Sequence, residues 1–130
     1  MTEIHRGWSK RRLIAYLGKH HSGNLFKPSD IEFLPKGFFI VKDVDVWNLY
    51  YIPSRQELNP GFVGWSPTKE GILKFANPED QQRLREEEIK YSTLLMDLSN
   101  MGADENEVLK IIEEANPGSD FVSKQRYLRT

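Results

Sequence analysis

The chain has 130 residues, with 18 Lys and Arg against 19 Asp and Glu, for a formal net charge of -1 at pH 7. Hydrophobic residues make up 38% and charged residues 28%, which supports a folded core and excludes intrinsic disorder. There is no cysteine, so disulfide scaffolds, thiolate metal sites and cysteine nucleophiles are excluded, and no run is apolar enough to span a bilayer. The first residues also lack the apolar stretch of a secretion signal, so a cytoplasmic protein with no membrane partner is expected.

In chain order, the first element is a helix opening at Trp8-Ser9. Ser9 has the chemistry of an N-cap, and Trp8 with Leu13 has the spacing of a hydrophobic staple. At about 100° per residue, Leu13, Ile14, Leu17, His20 and His21 gather on one side. Arg11, Arg12, Ala15, Gly18 and Lys19 fill the other, Tyr16 lies at the boundary, and Ser22-Gly23-Asn24 ends the helix.

A connector follows, with one helical turn after Pro28-Ser29-Asp30. Residues 37–42 (GFFIVK) and 46–52 (VWNLYYI) are rich in aromatic and β-branched residues and read as strands, with Asp43-Val44-Asp45 as their turn. Pro53 closes the second. Phe62 to Trp65 forms a third strand after the Asn59-Pro60-Gly61 turn, giving an antiparallel meander.

The second half is helical. Ser66-Pro67 opens a short helix that runs through Phe75. Asn77-Pro78-Glu79-Asp80 opens a long one: a capping Asn, Pro at the first position, acids in the first turn. Its later part carries a seam of Tyr91, Leu94, Leu98 and Met101 with Leu95 alongside. Asp104 with Glu107 resembles a capping box for a further helix on which Val108, Ile111, Ile112 and Ala115 share a face. The Met101–Asp104 link closes the two helices into a hairpin. The expected fold is α+β: an N-terminal helix, a small antiparallel β-meander and a C-terminal helical hairpin. Residues 1–118 are expected as one compact domain, and 119–130 as a tail that frays or forms a last short helix.

Charge is the first functional signal. Residues 1–27 carry six Lys and Arg against Glu3 alone, while residues 66–130 carry nine against thirteen acids. Lys10, Arg11 and Arg12 occupy the first helical turn, where the helix dipole disfavours cations by something like 0.3–1 kcal/mol each. A polyanion would reverse that sign, and Ala15 and Gly18 would let it approach closely. Lys10, Arg11, Arg12 and Lys19 are therefore the candidate anion or nucleic-acid contacts. No zinc-finger, basic-zipper or RNA-recognition pattern accompanies them.

Other chemistry is sparse. Adjacent His20 and His21 point about 100° apart on a helix and do not share a metal, so no metal site is expected. Asp43 with Asp45, and Asp30 with Glu32, have the spacing of acid/base pairs, but turns recruit Asp for local hydrogen bonds. There is no Ser/His/Asp arrangement and no Gly-rich phosphate loop. No enzyme and no cofactor are expected.

The aromatics are dense. Trp47 and Tyr51 share one face of their strand and Tyr50 takes the other, with Phe62 and Trp65 close by. A partly exposed Trp/Tyr face suits a protein partner, because such residues dominate interface hot spots. The hairpin seam offers a second contact surface, and also the means to form a homodimer. Trp47, Tyr51, Trp65, Leu94 and Leu98 are thus the candidate partner contacts. Leu98-Ser99-Asn100-Met101-Gly102, followed by Asp104 to Ala115 (DENEVLKIIEEA), resembles the first two helices of a ubiquitin-associated domain, over about a quarter of the chain. The resemblance implies ubiquitin contact through Met101-Gly102; where that family has an aromatic next, this chain has Ala103. The expected function is a small regulatory factor that binds a protein, with a nucleic-acid-binding factor as the alternative.

Overall fold

The computed structural model describes residues 4–20, 26–55 and 58–130. Ile4–His5 (β1) and Trp8–Ser9 (β2) form a small antiparallel hairpin with His5 opposite Trp8. Arg6 and Gly7 make its turn at φ 49° and 82°, the left-handed pair that a tight hairpin link requires. Arg is an unusual occupant of that region, and its side chain shows what holds it there. Nη1 donates to the Ile52 carbonyl at 2.7 Å and to the Tyr51 hydroxyl at 3.0 Å. Gly37, itself at φ 89°, lies beneath, where a Cβ would overlap the Arg6 guanidinium. Two-residue strands are too short for alternation to show, so the sequence gives no sign of this hairpin.

Helix α1 spans Lys10–His20, and the Ser9 hydroxyl accepts from Arg12 N at 3.2 Å, as an N-cap does. Its apolar side places Leu13 and Leu17 in a core with Trp8, Ile31, Phe39, Val41, Tyr50 and Ile52; Ile14 and Tyr16 pack on the edge. The expected stop at Ser22-Gly23-Asn24, His21 and the His20 side chain lie outside the described residues.

The main sheet is antiparallel, in the order β3 (Ile31–Phe33), β4 (Phe38–Asp43), β5 (Val46–Tyr51), β6 (Gly61–Ser66). Strand β3 has too few residues for a local signal; it exists because Ile31, Glu32 and Phe33 pair with Val41, Ile40 and Phe39. The helical turn expected after Pro28-Ser29-Asp30 lies on those residues instead, as a 3-10 turn, and the residues that follow are β3. Asp43 pairs with Val46, which shortens the expected three-residue turn to Val44-Asp45 and puts Val44 at φ 59°. Along β4 and β5, Phe39, Val41 and Tyr50 face the α1 core, and Phe38, Ile40 and Leu49 on the opposite face are also buried.

The chain divides into two compact units, residues 1–65 and 66–130. In the second, α2 is Lys69–Phe75, α3 Pro78–Asn100, α4 Glu105–Ala115 and α5 Asp120–Leu128. Each start carries a polar cap: Thr68, Asn77, Asp104 and Ser119 accept from Gly71, Glu79, Asn106 and Val122 N–H groups respectively. Helix α2 therefore begins later than Ser66, which still belongs to β6.

The core of this unit is Leu95, Val108, Leu109, Ile112, Phe121 and Val122, flanked by Tyr91 and Leu98. Residues 120–128 are thus a helix that contributes two core side chains. The expected seams are buried only in part. Leu95 is buried at 8% exposure while Leu94 stands at 38%, and on α4 Leu109 is buried while Ile111 is 61% exposed. Among the described residues the fold is mixed α and β, with five α-helices and two antiparallel sheets.

Candidate functional site

On α1, the structure separates the four cations by the work they do. Arg12 lies with its guanidinium carbon 3.8 Å from the Trp8 ring centre, and its Nη1 donates to the Gly7 carbonyl at 3.2 Å. Lys10 is half-buried with Nζ 6.0 Å from the Phe33 ring centre. Both are partly absorbed into packing, which accounts for cations in a first turn where the dipole disfavours them. Arg11 and Lys19 are exposed, as are Ala15 and Gly18 between them, and neither cation forms an ion pair among the described residues.

The aromatic candidates are more committed to the fold than the sequence suggests. Tyr51 is 36% exposed, its hydroxyl accepts from Arg6, and its ring meets Phe38 at 5.2 Å. Trp47 is half-buried with Lys42 Nζ 5.9 Å from its ring centre, and Trp65 is half-buried on β6. Tyr50 is buried between Phe39 (stacked, 5.2 Å) and Phe62 (edge-on, 5.6 Å). Burial first, then the charge of Asp43 and the neighbouring Tyr16, pushes its hydroxyl up to about 12, so it stays protonated at neutral pH.

Exposed apolar side chains occur in both units, among them Val44 and Phe62 in the first, and the hairpin of α3 and α4 carries Ile89, Leu94, Met96, Met101 and Ile111. Leu94 and Met101 lie one heptad apart on the same side of α3, at 38% and 81% exposure, with half-buried Leu98 between them. Met101 caps α3 at the exposed link, and Gly102 follows at φ 91°, the left-handed turn that ends a helix. Met101 belongs to the seam the sequence shows, but its exposure follows from Leu95 taking the buried position. That swap depends on where α4 and α5 pack and has no local signal.

On the other flank of α3, Ser92, Leu95, Met96, Ser99 and Asn100 line an open cleft of about 310 Å³, together with Glu105 and Gln125. That volume is at the small end for ligand sites. Its one carboxylate, Glu105, is held by Arg129 at 2.6 Å, and Arg129 also donates to Gln125. A second ionisable cluster, Asp120 with Lys124, is buried beside Ser66 and opens onto almost no free volume. The carboxylate pairs singled out in the sequence line neither cavity. Among the described residues no three His, Asp or Glu side chains are grouped closely enough to hold a metal ion. Among the described residues, no helix is long and apolar enough to cross a membrane.

Comparisons with protein-family models, with curated proteins and with solved structures find no match.

Proposed function

We propose that the chain is a small, non-enzymatic regulatory factor that binds a protein partner through the α3–α4 hairpin. The observation that supports this reading is the exposure of Leu94 and Met101 on one side of α3, ending at the Met101-Gly102 link. Grouped apolar side chains at a surface favour association, because burying them removes area from water. Methionine suits such a surface, since its flexible thioether conforms to the partner it meets. The resemblance of this stretch to the first helices of a ubiquitin-associated domain makes ubiquitin the first partner to titrate.

The test is a titration of isotopically labelled protein with ubiquitin, followed by amide chemical shifts. The reading expects shifts centred on Leu94, Leu98, Met101 and Gly102, abolished by Leu94→Ser with Met101→Ser while the remaining spectrum is kept. A photo-reactive side chain at position 101 should also cross-link to one dominant protein in native extract, and one at Glu86 should not. If ubiquitin causes no shift and position 101 cross-links no better than position 86, the hairpin is not a docking surface.

A further inference from the structure

From Ile4 to Ser29 the sequence contains no acidic residue, yet it contains Arg6, Lys10, Arg11, Arg12, Lys19 and Lys27. Folding sorts these cations. Arg6 turns inward to the Ile52 carbonyl and Tyr51 hydroxyl, and Lys10 rests near Phe33. Arg11, Arg12 and Lys19 remain on the exposed side of α1 around the small side chains of Ala15 and Gly18.

Arg12 is also ordered in advance. Stacking on Trp8 and the bond to the Gly7 carbonyl hold its guanidinium in place while it stays exposed, so less side-chain freedom is lost when it meets an anion. At 1.5 Å rise per residue, Arg12 and Lys19 stand about 10.5 Å apart along the helix axis. A duplex presents several phosphate charges over that length.

We propose that this face of α1 contacts the phosphate backbone of double-stranded nucleic acid, without reading bases. A membrane surface fits less well, because Trp8, Leu13 and Leu17 are spent in the core and leave α1 no apolar side to insert. A single strand fits less well, because stacking needs exposed aromatics, and α1 offers none: its Tyr16 is half-buried, and Trp8 just before it is buried beneath Arg12. The inference concerns residues 1–65 and stands apart from the hairpin reading, so either can fail alone.

The experiment measures fluorescence anisotropy of a labelled 20-base-pair DNA duplex, with a 20-nucleotide single strand, anionic phospholipid vesicles and polyglutamate as separate arms. Three phosphate contacts predict a log–log salt slope of about -2 to -3, hence roughly 20- to 60-fold weaker binding at 200 mM than at 50 mM salt. Arg11→Glu with Lys19→Glu should weaken duplex binding at least tenfold at 50 mM and flatten the slope by about two. Lys90→Glu with Lys110→Glu, the same charge change on α3 and α4, should leave the slope as it is. Both α1 positions are exposed, so folding is not at stake, and circular dichroism verifies it. Absent duplex binding at 50 mM salt, or an unchanged slope in the Arg11/Lys19 variant, overturns the proposal. So does equal or tighter binding to the single strand, the vesicles or polyglutamate.

Discussion

The Arg12 guanidinium stacks on the Trp8 indole, 3.8 Å from carbon to ring centre, and joins the first turn of α1 to the strand before it. Trp8 faces two ways: one side fills the core with Leu13 and Leu17, the other is covered by Arg12. Loss of the cation–π contact in Arg12→Ala should lower unfolding free energy by about 0.5–1 kcal/mol. Trp8→Ala removes core volume as well and should cost about 3–5 kcal/mol. Urea denaturation followed by circular dichroism measures both, and an Arg12→Ala variant as stable as wild type would mean that the stack contributes nothing.

Val44 sits at φ 59° in the two-residue link between β4 and β5, with 78% of its surface exposed. A β-branched residue in the left-handed region carries strain of roughly 1–2 kcal/mol, and its exposure means that little packing offsets it. Val44→Asn supplies a side chain that tolerates this conformation. Thermal unfolding should therefore show a stabilised protein, by about 1 kcal/mol. An unchanged or lowered melting temperature would show that Val44 contributes more through contact than it costs in strain.

His5 stacks on Phe33 at 5.0 Å, and its Nε2 is buried without a hydrogen-bond partner. Burial lowers its pKa from the usual 6.5, reinforced by the neighbouring Arg6 and opposed by a hydrogen bond with the Gly37 backbone. The folded state thus resists a proton that the unfolded chain accepts. The stability His5 contributes is complete above about pH 6.5 and is lost as pH falls from there through the lowered folded value. His5→Phe keeps the stack and removes the titration. The stability difference between variant and wild type should be flat above neutrality and shift in favour of the variant below it; parallel curves from pH 7.5 to 5 would contradict this.

The parts legible in the sequence are those whose cause is local. Ser9, Asn77 and Asp104 cap helices because a short polar side chain reaches nearby amides, and that chemistry needs no tertiary context. The β4 and β5 signals are equally local, being runs of aromatic and β-branched residues. What could not be read depends on partners distant in the chain. Strand β3 is set by its pairing with β4, and Arg6 tolerates a left-handed turn because Ile52 and Tyr51, far along the chain, receive its side chain.

The candidate surfaces show the same division. The wheel of α1 correctly put Arg11, Arg12, Ala15, Gly18 and Lys19 outward, since one helix has one buried side. It could not show that Arg12 lies on Trp8. The seam of α3 was harder, because Leu94 and Leu95 both satisfy a heptad-like pattern. Only the packing of Val108, Leu109, Ile112, Phe121 and Val122 around Leu95 leaves Leu94 and Met101 exposed.

Asp120 and Lys124 form a nearly buried pair at the start of α5, Nζ to Oδ2 at 3.3 Å, with each side chain only 11% exposed. The fully buried Ser66 hydroxyl donates to the other carboxylate oxygen at 2.7 Å and accepts from Thr68 N at 3.3 Å. Gly71 completes the arrangement, since a Cβ there would overlap the Ser66 oxygen. Two buried charges stabilise little as a pair, because desolvation offsets their attraction, but removing one leaves the other's burial less compensated. Asp120→Ala should therefore cost about 3–5 kcal/mol in urea denaturation, because it removes the carboxylate that both Lys124 and Ser66 meet. Adding Lys124→Met to that variant should recover much of the loss, because the methionine keeps the apolar contact near Phe75 and removes the charge. A double variant that loses the sum of the two single losses would show that the residues act separately.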